Sequence, residues 1–153
     1  MSSLADLYDE LKADVVAIAD PLFEQSQKNL QGRDFFLPHS AVLTPEGKVS
    51  LLGAMTGSKG GHANAPQVLQ MLHKGLRQMS REKVLVAVGV ATQVTLTRGE
   101  QPMTAIRVLF EHERGLTVAM MLPFHREDEG RYFFGEAFVT AAEPELNLWT
   151  PLP

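Results

Sequence analysis

A glycine-rich stretch is the part of this sequence whose residue types come nearest to a binding motif. It contains Lys59, Gly60, Gly61 and His62, and it precedes a segment with helical periodicity. Free backbone N–H groups and the helix dipole attract anions at such a place, and Lys59 and His62 would add positive charge. The spacing is not that of a phosphate-binding P-loop, because no Ser or Thr follows the lysine. The stretch therefore indicates either an anion site or an ordinary surface connection.

A second candidate site is formed by Arg107 and Glu111, which fall on the same face of one predicted strand. Strand side chains alternate between the two faces of a sheet, so residues four apart point the same way. A buried Arg–Glu pair can bind a ligand or act in catalysis, whereas a solvated cross-strand ion pair is the commoner arrangement. Together with Lys59 and His62, the pair predicts a small-ligand site between the sheet and a helix.

The histidines and serines do not form a recognisable metal or catalytic motif. None of the five histidines has a second histidine at the i, i+4 spacing of a helical metal pair. The chain has no cysteine, which excludes thiolate zinc sites and a cysteine nucleophile. Ser40 follows His39, but the glycines of a nucleophile elbow are missing. We therefore predict no metal, no cofactor and no catalytic residue. A small hydrolase or isomerase that uses Glu111, His112 or His125 is kept as the third functional hypothesis.

The composition is that of a folded, mildly acidic protein. The chain has 153 residues, of which 44% are hydrophobic, and a formal net charge of -4. This length is typical of one domain, so we expect a single domain over residues 1–153. Nucleic-acid binding depends on clustered Lys and Arg, which are scattered here. No stretch resembles a signal peptide or is apolar over the length of a bilayer, so we expect a cytoplasmic protein that binds neither nucleic acid nor membranes.

The first half of the chain predicts a helix, a hairpin and a second helix. Apolar residues recur every three to four positions at the N-terminus, with Ser3 as the N-cap and either a kink or the start of a new helix at Pro21. Two short stretches around a Pro-Glu-Gly turn predict a hairpin, in which Pro38 indicates an edge strand or a bulge. A second amphipathic helix begins after Asn64.

The second half predicts four strands joined by tight turns. The longest of them, from Val84 to Leu96, has small residues such as Gly89 on one face, which indicates a closely packed neighbour. Consecutive strands joined by short turns are antiparallel. The predicted fold is therefore α+β, with an antiparallel sheet of about five to six strands (a hairpin plus a four-strand meander) packed against two main helices. The predicted order of elements is α-β-β-α-β-β-β-β.

Several predicted strands are apolar on both faces, as in the stretch Leu85-Val86-Ala87-Val88. An antiparallel sheet with one face in water should alternate more cleanly. Either helices cover both faces, or a partner covers the second one. Two helices are few for both faces, so we expect them on one face and a second copy of the chain on the other, as a homodimer.

Two segments of the chain share a pattern of residue types with other proteins, namely FFLPHSAVLTPEGKV and TAIRVLFEHERGLTVAMMLPF. The first is an aromatic-Pro strand that leads to a Gly turn, and the second is a hairpin with Arg-Val, Glu-His, Gly and Pro-aromatic in order. In this the chain resembles small uncharacterised bacterial α+β proteins of unknown function, over most of its length. The resemblance implies a bacterial, cytoplasmic origin and a non-catalytic role, and it implies no functional residue.

The leading hypothesis is a non-enzymatic protein that acts as a homo-oligomer and binds another protein through its sheet, in an accessory or immunity-like role. A stable, acidic surface suffices for such a role. The alternative is a small-ligand or anion-binding protein that uses residues 57–62 together with Arg107 and Glu111. The two differ in what they require, since a ligand-binding protein needs a concave apolar pocket with converging polar groups.

Overall fold

A computed structural model of the chain describes residues 3–30, 36–53, 65–98, 101–127 and 131–149. Among these residues no helix is both long and apolar enough to span a membrane. The helices are α1 (Leu4–Glu10), α2 (Lys12–Leu30) and α3 (Ala65–Glu82). The strands are β1 (His39–Leu43), β2 (Val49–Gly53), β3 (Ala87–Arg98), β4 (Gln101–His112), β5 (Thr117–Arg126), β6 (Tyr132–Phe134) and β7 (Phe138–Ala141).

All of these strands belong to one antiparallel sheet, in the order β2-β1-β3-β4-β5-β6, with β7 also paired to β5. The predicted α+β fold with an antiparallel sheet is confirmed. The last of the four predicted strands is divided into β6 and β7 by residues 135–137, although the backbone N–H of Gly135 still donates to the carbonyl of Pro123 in β5 at 2.8 Å. Both pieces pair with β5, so the meander ends in two short strands along one neighbour.

The N-terminal helix begins where the sequence predicts but is interrupted elsewhere. The hydroxyl of Ser3 accepts a hydrogen bond from the backbone N–H three residues on, at 3.1 Å, in a capping box. The start of a new helix at Pro21, one of the two predicted alternatives, is wrong, since α2 continues through the proline and the interruption lies at Leu11. Ile18 and Leu22 beside it are fully buried. Their burial stabilises this turn by about 3–6 kcal/mol, which offsets the cost of about 3 kcal/mol for a proline inside a helix.

One face of the sheet, called here the α2 face, packs closely against α2. The two central strands β1 and β3 present small residues there, including Ala41, Gly89 and Ala91. A Cβ atom added at Gly89 would lie 2.8 Å from Leu22 Cδ1 and would also collide with Ile18 Cγ2. The prediction that these small residues mark a closely packed neighbour is confirmed.

The opposite face, called the α3 face, is covered by α3 and by the C-terminal segment, residues 143–149. Val88 and Val90 of β3 pack there with Leu76 of α3 and Leu146 of the C-terminal segment. Since Gly89 between the two valines faces α2, the two main helices lie on opposite faces of the sheet. The expectation that both helices cover one face is wrong. The apolar second face is covered by the chain itself over β1 and β3, and the homodimer stays a prediction.

The first hairpin lies deeper in the sheet than the sequence indicates. Strand β1 begins at His39 and pairs with β2 on one side and β3 on the other. The predicted edge position or bulge at Pro38 is therefore wrong, because the proline precedes the strand. The predicted turn is confirmed, since the backbone N–H of Gly47 donates to the carbonyl of Thr44 at 2.9 Å. Gly47 has a φ of 85°, a conformation that favours glycine.

Candidate functional site

The candidate site is a pocket of about 320 Å³ between α3 and the α3 face of the sheet. Leu69 and His73, one helical turn apart, line it from α3, and β3 and β4 line it from the sheet. Most of its walls are apolar, and a few polar side chains converge on it from different elements. The apolar residues include Phe36, Leu69, Val90, Val94 and Leu109, and the polar ones include His73, Thr92, Arg107 and Glu145.

Arg107 projects from the middle of β4 and contributes the only guanidinium group among the described residues that line the pocket. Its Nη1 donates to Oε2 of Glu145 at 3.0 Å, and the two side chains are 24% and 39% exposed. An ion pair with this exposure contributes about 0–1 kcal/mol to stability, because water screens it. Arg107 therefore keeps its position through the strand rather than through this ion pair.

Glu111 holds the C-terminal segment against the sheet and does not itself line the pocket. It is only 2% exposed, and its carboxylate accepts three backbone N–H groups, from Glu145 at 3.2 Å, Leu146 at 3.0 Å and Asn147 at 3.2 Å. Successive N–H groups that converge in this way form an anion-binding nest. Asn147 closes the nest with a φ of 55°, which asparagine tolerates better than most residues. Glu111 thereby positions Glu145 beside Arg107.

His73 is the titratable group of the pocket on α3, and its pKa lies below the usual 6.5. Partial burial is the main cause, since it disfavours the charged imidazolium, and the Arg77 guanidinium adds to the effect. The carboxylates of Glu145 and Glu111 oppose it. The imidazole is therefore neutral at neutral pH and offers the pocket one donor and one acceptor.

This lowered pKa of His73 predicts a pH effect on stability. A base with a depressed pKa stabilises the folded state fully above its unfolded value of 6.5, and the contribution is lost as the pH falls through the folded pKa. We therefore expect the Tm of the wild type to fall more than that of a His73→Gln variant between pH 8 and pH 5, as measured by calorimetry. Parallel pH profiles for the two proteins would contradict the assigned environment of His73.

The structure separates the sequence-predicted binding residues. Lys59, Gly60, Gly61 and His62 lie outside the described residues, so the anion site at this stretch stays a prediction. Arg107 lines the pocket between helix and sheet. Glu111 shares its face, as expected, but does not line this pocket and accepts backbone N–H groups of the C-terminal segment, so its role as a ligand-binding residue stays a prediction.

His112 has the geometry nearest to a catalytic base, and its surroundings give it another role. Because a backbone N–H can only donate, Nδ1 accepts from the N–H of Arg114 at 3.1 Å, and Nε2 donates to Oδ2 of Asp14 at 2.8 Å. An Asp–His pair is the orienting half of a hydrolase triad. Here both ring nitrogens are engaged and the side chain is 2% exposed. His112 therefore connects α2 to the end of β4.

A second pair with catalytic residue types lies inside the α2 face. Ser26 Oγ is 3.0 Å from His39 Nε2, and His39 Nδ1 donates to the carbonyl of Leu37 at 3.0 Å. Ser26 and His39 are 0% and 6% exposed, so a substrate cannot reach them. Ser40, which the sequence placed beside His39, points to the opposite face. The described residues also contain no cluster of three His, Asp or Glu side chains that could hold a metal ion.

A larger cavity of about 610 Å³ lies beside β6 and is less suited to a specific ligand. Phe124, Tyr132 and Phe134 line it, together with the exposed His125. The hydroxyl of Tyr132 is buried and has no hydrogen-bond partner among the described residues. Volume alone would favour this cavity. We favour the pocket beside α3, because a half-buried guanidinium and a histidine with a shifted pKa converge there on apolar walls.

Two residues of the pocket, His73 and Glu145, are absent from the sequence-based candidates. His73 follows Leu69 by four residues, so the helical periodicity could have placed it beside the apolar stripe of α3. Glu145 belongs to a segment without periodicity. Its ion pair with Arg107 spans 38 positions of the chain, and no local pattern indicates such a contact.

The fold and the site define an α+β protein with an antiparallel sheet between α2 and α3 and a pocket under α3. Comparisons with protein-family models, with curated proteins and with solved structures found no match. The case for a function therefore depends on the residues of this chain alone.

Proposed function

We propose that this chain is a non-enzymatic binding protein that holds a small, mostly apolar molecule in the pocket between α3 and the sheet. The observation that carries the proposal is the convergence of polar groups on apolar walls. His73 comes from α3, Arg107 from β4 and Glu145 from the C-terminal segment. Small-molecule sites usually combine such walls with a few placed polar groups and have volumes of about 300–1,000 Å³.

The histidines support binding over catalysis. His39 and His112, whose partners would suit a proton-transfer role, are buried and engaged at both ring nitrogens. His73 lies in the pocket, but no serine lines the pocket with it among the described residues. The pocket can thus recognise a molecule by shape and by a few hydrogen bonds.

The hypothesis that the chain binds a protein partner has less support than the hypothesis that it binds a small ligand. Its argument was the apolar second face of the sheet, which α3 and the C-terminal segment cover over β1 and β3. Phe133 and Val139, at the β6 and β7 end, are 48% and 46% exposed and leave some apolar surface there. Self-association or binding of another protein through the sheet stays a prediction.

A direct test uses 2-naphthamide, a neutral probe with an apolar body, in isothermal titration calorimetry. Its roughly 13 non-hydrogen atoms at about 0.4 kcal/mol each correspond to a Kd of roughly 0.1 mM. A Leu69→Trp substitution places a large ring in the pocket and is expected to weaken this binding at least about tenfold. The measured quantity is the Kd of each variant.

The matched control is Met71→Trp, on the same helix. Met71 is 51% exposed and does not line the pocket, so this variant should bind the probe as the wild type does. Thermal unfolding checks that both variants fold. Equal affinities of the two tryptophan variants for the probe would remove the proposal, as would failure of the wild type to bind either this probe or its carboxylate analogue, 2-naphthoate.

A further inference from the structure

The two partners of the Arg107–Glu145 ion pair are held in different ways. Arg107 is set in β4 between Thr92 of β3 and Met121 of β5, and its side chain is 24% exposed. The carboxylate of Glu145 is 39% exposed, and the backbone of this residue is held separately by the buried carboxylate of Glu111. The Glu145 side chain can therefore turn away into water while its backbone stays in place, whereas the guanidinium stays at the pocket.

Exchange of the Glu145 carboxylate for another anion costs little. A pair with this exposure is weak, because water screens both charges. A carboxylate that arrives on an apolar body also gains the burial of that body against the walls of the pocket. An Arg side chain binds a carboxylate through two parallel hydrogen bonds, whereas Glu145 uses one donor, Nη1, at 3.0 Å.

We propose that the ligand of this pocket carries one carboxylate on an apolar body, and that Glu145 stands in for that carboxylate when the pocket is empty. This inference rests on the proposed function of the pocket. An incoming carboxylate replaces Glu145 at Arg107, and the Glu145 side chain moves to solvent without release of its backbone from Glu111. A neutral ligand of the same shape leaves the ion pair intact and gains nothing from Arg107.

The test compares 2-naphthoate with 2-naphthamide, which differ in charge and have nearly the same shape. The wild type should bind the carboxylate more tightly. Glu145→Gln removes the competing charge and keeps the backbone bonds to Glu111, so it should tighten 2-naphthoate binding about fivefold relative to 2-naphthamide binding. Arg107→Met retains an apolar stem and should lower the affinity for 2-naphthoate to that for the amide. Calorimetric Kd values are the readout.

Arg114→Met is the matched control, because Arg114 pairs with Glu10 at 3.2 Å on an exposed surface away from the pocket. It should bind both probes as the wild type does. The inference is overturned if Glu145→Gln binds 2-naphthoate no better than the wild type, or if the wild type does not prefer the carboxylate. In that case binding of 2-naphthamide would leave the proposed function standing. Failure of both probes to bind would overturn the proposed function as well.

Discussion

Replacement of Glu111 by alanine is expected to destabilise the chain by about 3 kcal/mol. The substitution leaves the backbone N–H groups of Glu145, Leu146 and Asn147 without their acceptor, and Leu146 is only 2% exposed. Hydrogen bonds to a charged group contribute more than neutral ones, and a buried donor without a partner bears its full desolvation penalty. Urea unfolding followed by circular dichroism measures the change in the free energy of unfolding.

Hydrogen exchange of the same three N–H groups locates the effect. Glu111→Gln keeps one acceptor oxygen and places an NH2 group where the other was, so one of the three N–H groups faces a donor. We expect this variant to lose about half as much stability as the alanine variant and to exchange fastest at Asn147, which alone is bound by Oε1. Glu113→Gln, at an exposed neighbour, should change stability by less than about 0.5 kcal/mol. Unchanged exchange at residues 145–147 in the alanine variant would show that Glu111 does not hold the segment.

Gly89→Ala is expected to destabilise the chain by about 2 kcal/mol, a fall in Tm of roughly 6 °C. The new methyl group would lie 2.8 Å from Leu22 Cδ1 and would collide with Ile18 Cγ2. Leucine can turn its end away, but a β-branched side chain in a helix has one strongly preferred rotamer. The whole of α2 must therefore move outward from β3. Calorimetric melting measures the change.

Gly75→Ala is the matched control and should act in the opposite direction. Gly75 lies inside α3, and a Cβ atom there would meet nothing within 4 Å. Alanine loses less conformational entropy than glycine in a helix, so this variant should gain about 0.5–1 kcal/mol. A shift in Tm of the same sign for both variants would show that close packing at Gly89 is not what distinguishes the two positions.

Much of the sheet could be predicted from the sequence because strand geometry is local. Alternation with a period of two placed Arg107 and Glu111 on one face, and the small residue Gly89 under a close neighbour. The placement of α3 could not be predicted in the same way. A strand that is apolar on both faces, as around Val88, is compatible with a helix on each face or with a partner chain.

Only part of the candidate site could be predicted, because strand geometry is local and the contacts of the C-terminal segment are not. Arg107 carries a local signal, because its face follows from its position in a strand. Glu145 comes beside it through the three hydrogen bonds that Glu111 accepts, and these bonds join residues at least 34 positions apart. The interruption of the helix at Leu11 was also missed. A proline such as Pro21 is a local signal for a helix end, whereas the burial that overrides this signal depends on residues elsewhere in the chain.

Trp149 gives the C-terminal segment an intrinsic optical reporter. It is the only tryptophan of the chain, and its indole N–H donates to the carbonyl of Leu85 at 3.1 Å. The ring is half-buried and lies two residues beyond the nest around Glu111. Emission excited at the red edge of the absorption band comes from this ring alone. The emission wavelength of the unlabelled protein therefore reports how far water reaches the C-terminal segment, which also supplies the Glu145 carboxylate at the pocket.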